Sequence, residues 1–69
     1  MSKVEKLKQE IEVVRFQSNI LSSVEIIELL RKLDIVNDEE YEELRSLLLT
    51  TYEKIKIIRK EKFGNDDNG

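Results

Sequence analysis

The chain has 69 residues with 12 basic and 15 acidic side chains, a formal net charge of −3, and equal shares of hydrophobic and charged residues at 39% each. It contains no Cys, His, Pro, Trp or Ala. Such a length allows one small domain, and the missing Cys and His exclude a disulfide framework, a thiolate or imidazole zinc site, a thiol nucleophile and the usual general base.

The first element opens on Ser2-Lys3-Val4-Glu5, a capping box with Ser2 as N-cap and Glu5 at N3. Val4, Leu7, Ile11 and Val14 then step by three and four, the spacing of one helix face. A second series, Val13, Phe16, Ile20, Val24, Ile27 and Leu30, runs beside it and broadens the apolar face. Ser22-Ser23-Val24-Glu25 fits a second capping box, with Leu21 and Ile26 at the staple positions. The stretch from Phe16 to Ser23 therefore leaves two readings open. In one, helices over about 3–20 and 23–34 are separate. In the other they are a single helix, because the stretch holds mediocre helix formers but no Gly or Pro.

Asp34–Asn37 forms a short link, and Asn37-Asp38-Glu39-Glu40 caps the next helix, predicted over about 38–63. Acids in its first turn favour the positive end of the helix dipole. Tyr41, Leu44, Leu48, Tyr52, Ile55 and Ile58 form its apolar stripe. Lys60 and Lys62 suit the last turn and Gly64 the C′ position. Residues 1–63 are expected to form a single helical domain, and residues 64–69 an acidic, disordered tail. The fold class is all-α: an antiparallel helical hairpin, or its three-helix variant, dimerising into a four-helix bundle. Dimerisation is expected because a core in a chain under roughly 70–80 residues rarely supplies more than about 3–5 kcal/mol.

The connector Leu33-Asp34-Ile35-Val36-Asn37-Asp38-Glu39-Glu40-Tyr41, with its flanking leucines over about residues 29–49, resembles the short bacterial hairpins of the SHOCT type. Those hairpins join two leucine-bearing helices through a Gly-Ile-Ile/Leu-Thr/Ser turn followed by Glu-Glu-Phe/Tyr. Ile35, Asn37, Glu39, Glu40 and Tyr41 fit that pattern, whereas Asp34 stands where the family prefers Gly. The resemblance covers about 21 of the 69 residues. It implies an oligomerisation or interaction hairpin and carries over no catalytic residue and no ligand.

Charge is segregated along the chain. Residues 34–53 carry seven acidic groups and one basic group, and residues 54–63 carry five basic groups and one acidic. The acids Asp38, Glu39, Glu40, Glu42 and Glu43 read as a helix start, since a hard-cation site needs about six converging oxygens. The basic segment 54–62 can neutralise phosphates, but no aromatic platform interleaves it. Phe16, Tyr41, Tyr52 and Phe63 read as core residues, with the two tyrosine hydroxyls reaching a rim. No catalytic, cofactor-binding or metal-binding residue is expected, and neither is a small-molecule substrate.

The expected core and dimer interface comprises Leu7, Ile11, Val14, Ile20, Leu21, Ile27, Leu30, Leu44, Leu48, Ile55 and Ile58. Tyr41, Tyr52, Lys56, Arg59 and Lys60 are candidate contacts for a partner. The expected role is a small non-catalytic adaptor or regulator that homodimerises and binds a larger protein, such as a transcription factor. Two alternatives are a nucleic-acid-binding regulator using the 54–62 helix and a purely structural oligomer. No apolar run is long enough for a signal or a membrane span, so a cytoplasmic location is expected. The richness in Lys, Ile, Glu and Asn suggests an AT-rich genome, such as that of a low-GC bacterium, its phage or its plasmid.

Overall fold

The computed structural model describes residues 3–64. Two helices make up the fold, α1 (Lys3–Lys32) and α2 (Asp38–Phe63), and there is no strand among the described residues. They pack side by side as an antiparallel hairpin. The Ser2 cap and the tail beyond Gly64 lie outside the described residues.

Helix α1 runs without a break through residues 16–23. The second capping box therefore does not form. With neither Gly nor Pro present, nothing forces the backbone out of the helix; Ser22, the cap of that box, is an exposed helical residue, and its neighbour Ser23 returns its Oγ–H to the Asn19 carbonyl at 2.9 Å. Thirty residues at about 1.5 Å each make a rod of roughly 45 Å, in keeping with an overall shape of 48 × 18 × 15 Å.

A Schellman motif ends α1. The Ile35 N–H bonds to the Leu30 carbonyl at 2.9 Å and the Asp34 N–H to the Arg31 carbonyl at 3.0 Å. Asp34 occupies the C′ position with φ 63°, the left-handed region that favours glycine. Three residues on, Asn37 forms a complete capping box. Its side chain accepts from the Glu40 N–H at 2.7 Å, and its own N–H donates to Glu40 Oε1 at 2.9 Å. At the far end Gly64 donates to the Lys60 carbonyl at 3.0 Å, but with φ −81° it does not take the left-handed conformation expected of a C′ glycine.

The core is a narrow seam. Among the described residues the buried hydrophobic side chains are Ile20, Ile27 and Tyr41, joined by the amide of Gln17. Leu30, Leu48, Ile55 and Ile58 are half-buried. Leu7, Ile11, Val14, Leu21 and Leu44 are exposed. The hairpin itself does not supply the burial expected of them, because one neighbouring helix covers only one face of α1. Phe16, read as a core aromatic, is likewise exposed.

Candidate interaction surface

Helical spacing decides which side chains meet. On α1 the positions Glu10, Val13, Gln17, Ile20, Val24, Ile27 and Arg31 advance by three and four, and each is buried or half-buried. This seven-residue repeat is the seam of a two-helix coil. On α2 Tyr41, Leu48, Tyr52, Ile55 and Arg59 answer it.

Tyr41 sits where both chain ends of the turn converge. Its ring is stacked under the Arg31 guanidinium, with Cζ 4.4 Å from the ring centroid, and its hydroxyl lies 3.5 Å from Glu28 Oε2. Buried to 5% exposure, it is a structural anchor of the turn and not the rim contact expected of it. Tyr52 is half-buried in the seam.

Arg59 also belongs to the seam. Its Nη1 donates to Gln17 Oε1 at 3.2 Å, while Nε and Nη2 donate to Glu10 Oε2 at 3.3 and 3.2 Å. One guanidinium thus satisfies a buried amide and a carboxylate on the facing helix. Of the basic residues expected to face a partner, Lys56 and Lys60 remain exposed, and Lys56 pairs with Glu53 at 3.7 Å. Sequence reasoning missed Glu10 and Gln17. The signal was present in their spacing: Gln17 stands seven residues before Val24 and Glu10 seven before Gln17, in phase with the seam.

The acidic residues at the start of α2 are exposed and spread around the helix. Glu40 is spent on the cap, and Asp38 approaches Arg31 at 3.8 Å. No group of acidic side chains converges as a metal site among the described residues. Two surface depressions lie at the open end of the hairpin. One is lined by Lys3, Lys6, Leu7, Glu10 and Phe63, and the other by Glu10, Lys56, Arg59, Lys60 and Gly64. Both are shallow and open.

What the hairpin offers most is uncovered apolar surface. Large hydrophobic side chains stand exposed along α1 from Val4 to Leu29, in the link at Leu33 and Ile35, and on α2 at Leu44, Leu47 and Ile57. Among the described residues no helix is long and apolar enough to cross a membrane. No protein-family model, curated protein or solved structure matches the chain.

Proposed function

We propose that the chain is a non-catalytic protein-interaction module, a small adaptor or regulator that assembles with itself and binds a larger protein. One observation carries this reading: among the described residues thirteen large hydrophobic side chains are exposed, whereas three hydrophobic side chains are buried. Two helices in a single seam leave α1 with an apolar back, and contiguous exposed apolar surface marks a protein contact. Pairing of two hairpins into a four-helix assembly would cover part of it, and a transcription factor or another larger protein would take the rest. An open hairpin without a walled cleft gives a nucleophile and its base no place to meet.

The test is isolation of the tagged chain with its bound proteins from the cell it comes from, with Leu44→Asp/Leu47→Asp as the control. The expected result is a stoichiometric partner bound by the parent chain and lost in the variant. A chain that is present, folded and bound to no other protein overturns the reading. Binding to nucleic acid through the 54–62 helix is the rival. Because Arg59 is held by Glu10 and Gln17, its free charge reduces to the lysines. Lys56→Glu/Lys60→Glu is thus the variant that tests the rival without disturbing the seam. Salt-dependent binding to generic duplex, abolished by that variant, would favour it.

A further inference from the structure

We infer that the back of α1 pairs with the same face of a second copy, antiparallel, about a two-fold axis beside Ser18. This assignment deepens the interaction reading and rests on it. The row Val4, Leu7, Ile11, Arg15, Ser18, Ser22, Ile26, Leu29, Leu33 advances by three, four and four, eleven residues in three turns, so it runs nearly straight along the rod. It lies about half a turn round from the seam, and its six apolar members are 53–61% exposed. Their arrangement reads the same from either end: three large apolar residues, three polar ones, three large apolar residues.

A two-fold axis beside Ser18 turns that symmetry into contacts. Val4 then faces Leu33 of the second copy, Leu7 faces Leu29, and Ile11 faces Ile26, each pair occurring twice as an isologous interface requires. Flanking the middle, Val14 comes against Leu21 of the second copy, which covers the other two exposed aliphatic residues of α1. At the centre Ser18 meets Ser18 and each Ser22 meets Arg15 of the second copy, the short serines leaving room for an arginine that pairs with Glu12 at 3.2 Å.

Charge selects the direction. Each hairpin is acidic over residues 34–53, with seven acidic groups against one basic, and basic over residues 54–63, with five basic against one acidic. These segments lie towards opposite ends of the hairpin. Both segments lie mostly on α2, across α1 from the pairing face, so they act at long range: parallel pairing would align like ends, whereas antiparallel pairing sets the acidic end of one copy level with the basic end of the other.

The chain has no cysteine, so an introduced one is the sole thiol and reports the geometry directly. A disulfide needs Cα atoms within about 7 Å. Ser18→Cys should therefore cross-link with itself. Ile11→Cys should not cross-link alone, because antiparallel pairing sets its two copies about 22 Å apart along the axis, but should do so when mixed with Ile26→Cys. Sedimentation across a dilution series should show a dimer, weakened at least roughly 100-fold by Leu7→Asp/Leu29→Asp. Efficient self-cross-linking of Ile11→Cys, or a dimer indifferent to the double substitution, would overturn the proposal. A helical monomer at every concentration would overturn it too, while leaving the back of α1 to a different protein. Should the double substitution unfold the chain, the mixed-cysteine result decides alone.

Discussion

At the scale of single residues, the turn concentrates the local determinants of the hairpin. Asp34 holds a left-handed backbone that costs an L-residue up to about 1–2 kcal/mol, less for Asp than for most. Asp34→Gly removes that cost but frees the unfolded chain. The expected outcome is a net gain of about 0.5–1 kcal/mol, seen as a higher urea midpoint at fixed protein concentration. Asp34→Val should lose at least about 1 kcal/mol in the same titration, since a β-branched side chain tolerates positive φ poorly. Asn37 is the second local determinant. Its side chain satisfies the Glu40 N–H, so Asn37→Ala should lower stability by about 1 kcal/mol, with Asn37→Ser nearly neutral. Equal midpoints for the Ala and Ser variants would show that the box is decorative.

At the scale of the element pair, the seam is two-thirds apolar and one-third polar, and the polar part makes a separate prediction. Arg59 spans Gln17 and Glu10 across the helices. Arg59→Leu strands the buried Gln17 amide and should cost about 1–3 kcal/mol. Gln17→Leu added to it replaces the stranded amide with apolar contact, so the double variant should recover most of that loss, falling short of the parent by what Glu10 loses with its Arg59 partner. A double-mutant cycle measures this: strictly additive losses would mean that the two side chains do not share a buried bond.

This seam also marks how far the sequence could be read. The helical content on either side of the link, the link itself and the Asn37 cap were legible, because period, cap and absence of strand signals all agree there. The α2 stripe through Tyr41, Leu48, Tyr52 and Ile55 was legible for the same reason. The α1 face was not. Apolar residues lie nearly all the way round that helix, so periodicity alone could not say which of them meet α2. The side facing α2 is instead marked by two polar residues, Glu10 and Gln17, whose value depends on Arg59 arriving 42–49 residues later in the chain. The Ser22 box left the continuity of α1 open for a related reason. A capping motif describes how a helix starts if it starts, and the packing of Ile20, Val24 and Ile27 on α2 favours carrying the rod straight through it.

At the scale of the whole molecule, two closely spaced positions on α1 separate folding from assembly. Ile27 and Leu29 are two residues apart and hence on nearly opposite sides of the helix. Ile27 is buried in the seam, and Leu29 is exposed on the back. Ile27→Asp buries a carboxylate in the seam, where the nearest cation, Arg31 one turn on, is already stacked on Tyr41, and the penalty of several kcal/mol exceeds what so small a core supplies. That variant, and Ile55→Asp on α2 with it, should lose helicity at every concentration. Leu29→Asp places its charge where water already stood in the single hairpin. It should remain helical when concentrated and dissociate at a higher concentration than the parent. Circular dichroism and sedimentation on the same dilution series distinguish the two. If Leu29→Asp loses helicity in step with Ile27→Asp, the hairpin has no existence apart from its assembly, and the back of α1 is as much a part of the fold as the seam.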